Sequence, residues 1–537
     1  MTTATPPRRF ASLLEVPDIV DVRAPRWFDR LPRWASTGGV LVVLMALSAF
    51  IRSRTLSGEL WFDEAGAVGL AAQPLGSLLG AVHRAGAAPL YYVLLHIWMS
   101  LFGSGESATH ALSLILGLLS IPAAMWTAWS VAGRRAGFFA AVLFAFGSFL
   151  TRYAEEAQPY ELMVLLGLLG TAGLLHAFVY RRRAYRWLFG ACLALMLYTQ
   201  GTALLFWLGA AVALVVIRRS LPEPARQGFW RDAVLCYGVA ALLFVPWLPA
   251  TIDQIAHATN PWHYIPLMGA TVPSQILGSE RVDVTLLICV IIAVAPLAAR
   301  GRRGTPEAAV FWALILIPAV ALLVARIAGF FIPLWAWRYF APVVAPLLLL
   351  GALSTARARV VGVAAIIFCV AFLANAGSFA PPYKSDMKDV AAEMQPLLHR
   401  GDLVLVSQPE QGPLAWYYLP AGLRFASTLG PVANPAVMNW IGAMGRLQDA
   451  SPRATLNTLV ASLKPGQQLL YVRPLTEGVK NWTAAWPALV RRRSAQWGQL
   501  LQDEQANGTL KPVATAPHNY RGSCCVADSA VLYQKAS

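Results

Sequence analysis

The feature that most constrains this chain is a series of long apolar runs, separated by clusters of arginine, along its first 376 residues. Repeated runs of this kind are typical of proteins that cross a membrane many times. The composition agrees, because 57% of the residues are hydrophobic and 13% are charged, about half the charged share of soluble domains. The net charge of +16 does not indicate a nucleic-acid partner, because the cations flank the apolar runs instead of forming one basic stripe.

The arginine clusters also predict the topology, because membrane-protein loops rich in Lys and Arg stay in the cytoplasm. Six arginines precede the first run, so residues 1–37 are predicted to be a cytoplasmic segment. One assignment of spans places every later cluster in the cytoplasm and the C-terminus outside. Its eleven spans are residues 38–56, 107–131, 137–151, 160–180, 187–199, 201–217, 233–250, 282–299, 307–326, 340–355 and 359–376. We therefore predict a multi-pass protein of the plasma (inner) membrane.

One apolar segment must not cross the membrane, because an additional span would place the later arginine clusters outside the cytoplasm. It is PLYYVLLHIWMSLFG, residues 89–103, and we predict an interfacial helix with Tyr91, Tyr92 and Trp98 at headgroup level. The external loops are then residues 57–106, 152–159, 251–281 and 327–339.

The tail, residues 377–537, differs in composition from the rest and is predicted to be a soluble external domain. All six lysines lie in it, at Lys384, Lys388, Lys464, Lys480, Lys511 and Lys535. Residues 386–401 have helical spacing, and DLVLVSQ (402–408) and QQLLYVRP (467–474) have the pattern of buried strands. The tail is therefore predicted to be a small α/β domain.

The cysteines give little functional information. Cys192, Cys236, Cys289 and Cys369 fall within predicted spans, where they are typical of small apolar core residues. Cys524 and Cys525 are adjacent in the tail. A bond between them is sterically demanding, and the spacing of a metal site is absent.

An acidic pair, Asp63 and Glu64, lies just beyond the first span in GELWFDEAGAVGL. Neighbouring residues point about 100° apart on a helix, so one of the two can face a given centre. A solvated pair at a helix end is the plainer interpretation. Trp61 and Phe62 instead favour a partly desolvated interfacial position, where a carboxylate becomes a stronger base.

A second acidic cluster, TRYAEEAQPYE, begins at Thr151. Pro159 suits the first turn of the next helix, so Glu155 and Glu156 fall at or before its N-terminus, where the helix dipole favours carboxylates. Helix capping is one interpretation, and a local ion pair between Arg152 and Glu156 is another. The position of this short external loop also predicts that its acidic groups share a cleft with those of the first loop.

A basic and aromatic motif, LWAWRYFAPVVAP, contains Arg338 and Tyr339 at the external start of the tenth span. The positive-inside rule disfavours arginine on that side. A snorkelling headgroup anchor would explain it, and so would a site for a lipid phosphate, to which arginine can donate two parallel hydrogen bonds. His83 and Arg84 form a weaker basic pair, for which a solvated loop is the alternative.

Together these motifs resemble the GT-C glycosyltransferases, and among them the branch of protein O-mannosyltransferases and lipid A aminoarabinose transferases. The matching pieces are Asp63-Glu64, residues 89–103, SESATHALSLILG and GRRAGFFAAVLFAF at the second and third spans, EEAQPYEL from Glu155 to Leu162, and Arg338-Tyr339. The resemblance covers residues 40–200 well. Related sequences carry arginine in place of His110 and Gln158, so this chain departs from the pattern there.

The resemblance implies a polytopic α-helical membrane protein of about eleven transmembrane helices, with a GT-C-like catalytic domain over residues 38–376 and an external α/β domain over residues 377–537. It implies transfer of a hexose or pentose from a polyprenyl-phosphate donor to a glycan, lipid or protein acceptor on the external face, with inversion. It allows a divalent cation and does not require one.

The resemblance also implies roles for individual residues. They are Asp63 as the catalytic base, Glu64 and Glu156 as contacts to the acceptor or a divalent cation, Arg338, Tyr339 and Arg84 at the donor phosphate, and Glu155, Tyr160, Arg152 and His83 as further residues of the cleft.

Two other functions fit a chain of this kind. A transporter or lipid flippase usually places ionisable groups near the middle of the membrane along a substrate path. Here the carboxylates cluster at one face, which favours chemistry at the interface. A non-catalytic scaffold with a partner-binding external domain is the third interpretation.

Overall fold

The computed structural model describes residues 33–257, 271–299, 305–329, 336–375, 384–475, 484–516 and 527–536. The first arginines of the chain and the Cys524–Cys525 pair lie outside these residues. The chain divides into two compact units. The membrane unit comprises Met1–Arg54, Ala111–Pro246 and Leu267–Ala380, and the sheet unit comprises Thr55–His110, Trp247–Pro266 and Pro381–Ser537.

The described residues are mostly helical. In chain order the helices are α1 (Arg33–Ser53), α2 (Phe62–Ala71), α3 (Leu75–Arg84), α4 (Pro89–Phe102), α5 (Glu106–Ala132), α6 (Arg134–Phe146), α7 (Ser148–Tyr153), α8 (Tyr160–Leu174), α9 (Tyr185–Thr199), α10 (Ala203–Ser220), α11 (Phe229–Phe244), α12 (Leu248–His257), α13 (Thr271–Leu277), α14 (Glu280–Ala299), α15 (Pro306–Ala328), α16 (Ala341–Arg357), α17 (Arg359–Asn375), α18 (Met387–Met394), α19 (Gly412–Tyr418), α20 (Ala443–Asp449), α21 (Pro452–Ala461) and α22 (Ala485–Ala506).

Each of the eleven predicted spans overlaps a helix, but residues 137–151 run across α6 into α7, and residues 233–250 run across α11 into α12, which belongs to the sheet unit. By length and hydropathy, six helical segments of the described chain can cross a membrane: Glu106–Ala132, Tyr160–Val179, Ala203–Ser220, Glu223–His257, Pro306–Ala328 and Trp337–Arg357. The two shortest predicted spans, residues 187–199 and 137–151, begin earlier as helices, α9 at Tyr185 and α6 at Arg134, and α6 ends at Phe146, before the predicted end. The count of eleven remains a prediction.

Small residues bring the helices of the membrane unit close together. A Cβ atom on Gly209 of α10 would lie 2.5 Å from the carbonyl oxygen of Ile317 in α15. A Cβ on Gly167 of α8 would overlap the carbonyl of Pro342 in α16. Such close approach is how helices associate in lipid, where apolar burial gives little driving force.

The sheet unit contains one six-stranded mixed sheet. Its strands are β1 (Leu403–Val406), β2 (Arg424–Ser427), β3 (Gly430–Val432), β4 (Gln468–Pro474), β5 (Leu510–Thr515) and β6 (Asp528–Lys535), in the order β3-β2-β1-β4-β6-β5. Strand β1 is parallel to both neighbours, β2 and β4. The two predicted strands are therefore confirmed as the adjacent central pair, and the helix predicted from residue 386 is confirmed as α18.

The first of the loops that we predict to be external, residues 57–106, is part of the sheet unit. Helices α2, α3 and α4 all belong to it, so the predicted interfacial segment is indeed a helix. Gly69 of α2 lies so close to the loop after β3 that a Cβ would overlap the carbonyl of Ala436. The Leu60 N–H donates to the Tyr418 hydroxyl at 2.8 Å. The sheet unit is therefore assembled from segments on both sides of the membrane helices in sequence.

Candidate functional site

The acidic pair lies in the first turn of α2. Trp61 caps the helix, and its backbone N–H donates to Glu64 Oε2 at 3.2 Å. Asp63 is half-buried, whereas Glu64 is fully buried, as expected for neighbours that point in different directions on a helix. Burial and the charge of Asp63 raise the pKa of Tyr92, so this phenol lies in the electrostatic environment of Asp63. Asp63 is therefore the more accessible carboxylate.

Glu64 is the centre of a buried ionic cluster. His110 Nε2 lies 2.8 Å from Oε1, and Lys384 Nζ lies 3.0 Å from Oε1 and 3.1 Å from Oε2. Burial alone would raise the pKa of Glu64, but the charges and hydrogen bonds of Lys384 and His110 outweigh it and lower the pKa to about 2. Glu64 is thus ionised, and both of its oxygens already accept hydrogen bonds.

His110 is held at both ring nitrogens. Nδ1 lies 2.7 Å from the carbonyl oxygen of Leu56, and Nε2 faces Glu64. Both partners are acceptor oxygens, so the imidazole ring is fixed between Leu56 and Glu64.

Sequence reasoning missed Lys384. It is the first lysine of the chain and follows the last predicted span, and that position was the available signal. The sequence does not show that Lys384 contacts Glu64, because the two residues are 320 positions apart.

In the membrane unit, four of the predicted residues surround Tyr153. Arg152 Nε lies 3.9 Å from Glu156 Oε1, which confirms the predicted local pair, and the guanidinium stacks over the ring of Trp337 at 5.5 Å. Burial and Glu156 raise the pKa of Tyr153, while Arg152 and Arg338 oppose that shift. The ring of Tyr160 lies 4.7 Å from that of Tyr153. This cluster combines two guanidinium groups, a carboxylate and phenols.

The remaining predicted residues have different surroundings. The guanidinium of Arg338 lies over the ring of Tyr339 at 5.7 Å, in the short turn that precedes α16. Glu155 is buried just before α8, next to Glu156 in sequence. In the sheet unit, His83 Nε2 lies 2.8 Å from Asp253 Oδ2, so His83 has a carboxylate partner, whereas Arg84 is exposed at the end of α3.

Two buried ionisable residues of the membrane unit, Arg52 and Glu161, also escaped prediction. Arg52, at the end of α1, donates to the carbonyl of Phe144 at 2.7 Å. A Cβ on Gly117 would lie 2.9 Å from Glu161 Oε2 and 3.2 Å from Arg52 Nη1, so both charged groups converge on this glycine. The sequence signal was an arginine at the apolar end of the first span. Both residues lie near helix ends rather than in the middle of a span.

The sheet unit also contains buried acids. Gln408 and Trp486 donate to Glu410 Oε1 at 2.9 and 3.0 Å. Burial raises the pKa of Glu410 to about 7, and burial together with Asp386 and Glu410 raises the pKa of Asp528. Within the described ranges, no group of three or more His, Cys, Asp or Glu side chains is arranged to hold a metal ion.

No protein-family model matches the sequence, and no curated protein sequence matches it either. Two solved structures of ArnT from Cupriavidus metallidurans are similar in fold. In the apo state it superposes with a TM-score of 0.57 at 14% identity, over 93% of this chain and 98% of that one. Bound to undecaprenyl phosphate, it gives 0.55 at 15% identity, over 92% and 98%. This chain has the fold of that protein. The likeness includes the C-terminal sheet and confirms the predicted fold class.

The predicted site residues lie in two groups. Asp63 is half-buried beside the fully buried Glu64 in the sheet unit, and Arg152, Glu156 and Arg338 lie around Tyr153 in the membrane unit. Six helical segments of the described chain are long and apolar enough to cross a membrane, in agreement with the predicted membrane location.

Proposed function

We propose that this protein is a membrane glycosyltransferase that moves a hexose or pentose from a polyprenyl-phosphate donor to an acceptor hydroxyl on the external face, with inversion. The observation that carries the proposal is the likeness in fold, over 93% of the chain, to ArnT, a protein that has been solved with undecaprenyl phosphate bound. The acceptor is a glycan, a lipid or a protein.

The proposed reaction is a single displacement. Asp63 accepts the proton of the acceptor hydroxyl as that oxygen forms a bond to the anomeric carbon of the sugar. The bond from this carbon to the phosphate oxygen breaks, and polyprenyl phosphate leaves with the electron pair. Phosphate is a good leaving group, so cations that stabilise its charge contribute more than a general acid would. The exposure of Asp63 relative to Glu64 supports its role as the base.

The cations of the membrane unit suit the leaving phosphate. Arg338 and Tyr339 precede α16. The charges of Arg338 and Arg152 both act to lower the pKa of Tyr153, so both guanidinium groups lie near this phenol. We assign Arg338 and Tyr339 to the phosphate, and Glu156 to the acceptor or to a divalent cation if one takes part. Glu64, which His110 and Lys384 already engage, is assigned a positioning role for the first turn of α2.

The proposed orientation follows the arginine clusters. Residues 1–37 are cytoplasmic, residues 38–376 form the transmembrane domain in the plasma membrane, and residues 377–537 form the external domain. Reporter fusions after Ser220 should report the cytoplasm, and fusions after Gly377 should report the external side. A cytoplasmic signal from the second fusion would contradict this orientation.

The function is tested by deleting the gene and restoring it with variants. Mass spectrometry of lipid-linked sugars should show one donor accumulating in the deletion strain and returning to normal with the wild-type gene. The Asp63→Asn variant keeps the shape and loses the base, so transfer should fall by ~10²-fold or more at equal protein level. Asp503→Asn, the same change at a surface carboxylate of α22, is the control. Normal turnover by Asp63→Asn would remove the catalytic assignment.

Transport of a lipid-linked sugar is the alternative. The buried Arg52 and Glu161 are the kind of groups a transporter uses, but they lie at helix ends. Vesicles containing the purified protein distinguish the two functions, because a flippase moves the donor without cleaving it. Intact donor on the opposite leaflet would favour transport.

A further inference from the structure

A cleft of about 300 Å³, with a largely apolar wall, opens in the sheet unit, and neither Glu64 nor its partners line it. It lies at the carboxyl ends of the parallel strands β1 and β2, with Val406 and Ser427 in its wall, and the loop that follows β3 closes one side. Carboxyl ends of parallel strands are where open sheets commonly bind ligands, and the volume is within the range of small-molecule sites.

The charged side chains that line the cleft in the described residues are all positive. Arg84, from the end of α3, and Arg446, from α20, both line it, and none of its described lining residues is Asp or Glu. No ion pair to either arginine is present within the described ranges, and Arg446 Nη2 donates to the carbonyl oxygen of Asn439 at 2.6 Å. Two guanidinium groups without a carboxylate between them favour an anionic ligand.

The rest of the lining is suited to a hydroxyl-rich ring. Ser427 and Asn439 offer hydrogen-bonding groups, while Phe425 and Met438 offer apolar surface. Asn434 also lines the cleft, but its amide already bonds to Gln73 and Ala436. A pocket that combines convergent polar groups with an apolar wall matches a sugar, which has hydroxyl edges and a C–H face.

The walls of the cleft are fixed to α2, the helix that carries Asp63. The Trp440 N–H donates to the carbonyl of Arg84 at 2.8 Å, and Asn434 donates to Gln73, just after α2, at 2.8 Å. Gly69 of α2 lies against Ala436 of the same loop. A ligand in the cleft is therefore held by the loop that packs on the helix of the proposed base.

We propose that this cleft binds an anionic saccharide, the phosphorylated or carboxylated sugar portion of the acceptor, through Arg84 and Arg446. The inference rests on the proposed function, which requires a binding site for the acceptor. It moves Arg84 from the donor phosphate, where the sequence had placed it, to the acceptor.

The test is a titration of the purified full-length protein in detergent, followed by tryptophan fluorescence or ligand-observed NMR. The probes are glucose 1-phosphate, glucuronate, neutral glucose and inorganic phosphate. We expect one of the two anionic sugars to bind more tightly than both glucose and inorganic phosphate. Preference between the two identifies the anion as phosphate or carboxylate. Equal binding of glucose would overturn the role of charge, and equal binding of inorganic phosphate would overturn the saccharide.

Variants locate the binding. Arg84→Gln and Arg446→Gln should each weaken the preferred sugar by about tenfold, the effect of losing one charge-assisted hydrogen bond. Arg453→Gln, a surface arginine paired with Asp503, is the matched control and should bind normally. Sugar binding that is unchanged in both cleft variants would overturn the proposal.

Two further arms separate this inference from the proposed function. The Asp63→Asn protein should keep its sugar affinity, so loss of transfer and loss of acceptor binding are measured independently. Farnesyl phosphate, a short donor analogue, should bind Arg84→Gln as well as wild type. Selective loss of farnesyl phosphate binding in Arg84→Gln would return Arg84 to the donor and refute the acceptor site.

Discussion

At the scale of single residues, Glu64 illustrates how a buried carboxylate can remain ionised. Removing such a group from water is costly, and one cation rarely compensates for it. Glu64 has the Lys384 ammonium, the His110 ring and a backbone N–H donor from Trp61. Removal of Lys384 should therefore destabilise the fold by more than the intact pair stabilises it, because the charge of Glu64 remains buried.

The first prediction concerns Lys384. Lys384→Met leaves Glu64 buried with one cation fewer, and should lower the free energy of unfolding by roughly 3–5 kcal/mol, the usual cost of breaking a buried pair. Lys388→Met is the matched control, because Lys388 forms an exposed pair with Glu106 that should contribute ~0–1 kcal/mol. Chemical denaturation of the purified proteins measures both. Equal effects would show that the buried cluster does not stabilise the fold.

The second prediction concerns Arg338. If it holds the leaving phosphate, Arg338→Lys keeps the charge and loses the planar fork, and transfer should slow in kcat as well as KM. Arg338→Ala should be worse by a further ~1–3 kcal/mol of transition-state stabilisation. The rate of transfer from purified donor lipid at matched protein level measures both. A headgroup anchor would tolerate lysine, since lysine snorkels equally well.

At the scale of elements, the position of α2 depends on one glycine. Gly69→Ala places a methyl group against the carbonyl of Ala436, so α2 must move or the loop must yield. We expect a loss of roughly 1–3 kcal/mol of stability, with reduced transfer because Asp63 moves with the helix. Gly66→Ala, one turn earlier on α2, meets open space and should be neutral or stabilising. Thermal unfolding and transfer assays compare the two, and identical behaviour would contradict this packing.

The same scale shows what the sequence could predict. Apolar runs and arginine clusters located the helices that match the eleven spans, because those signals are local. Local patterns also predicted β1, β4 and α18. The first loop was predicted with one helix and contains α2, α3 and α4, since α2 and α3 are amphipathic or short and are stabilised by contacts distant in sequence.

The residues of the candidate site also divide into those that local sequence patterns predict and those that depend on contacts distant in sequence. Arg152 and Glu156 are four residues apart, so their pair was predictable as a local contact. Lys384 was not predictable, because its contact with Glu64 joins residues 320 positions apart. Arg446 was not predictable either, because it lines a cleft with Arg84, which is distant in the sequence. Gln158 and His110 were noted as departures from a pattern, and His110 proved to be the partner of Glu64.

At the scale of the whole molecule, the buried acids predict how stability depends on pH. Burial raises the pKa of Glu410 to about 7 from 4.5. A carboxyl with a raised pKa retains its proton in the folded chain and releases it on unfolding. Its contribution is complete below about pH 4.5 and is lost as pH rises through about 7. Asp528 shifts in the same direction.

We therefore expect the wild-type protein to lose unfolding free energy between about pH 5 and about pH 8. Glu410→Gln is always neutral and should lose less across this window. Glu393→Gln, at an exposed carboxylate of α18, should follow the wild type. Denaturation midpoints at the two pH values decide it, and parallel curves for Glu410→Gln and wild type would contradict the buried, protonated state.

The sheet unit is built from segments that are far apart in the sequence, and this has a consequence for biosynthesis. Its first segment ends at His110, and its last begins at Pro381, so a ribosome adds about 270 residues between them. At about 5–20 residues per second this takes roughly 15–55 s. During that time the partners of α2 do not yet exist, and Glu64 has no Lys384 beside it. A nascent chain halted before residue 381 should therefore show a protease-sensitive first loop, which becomes protected when the tail is released from the ribosome.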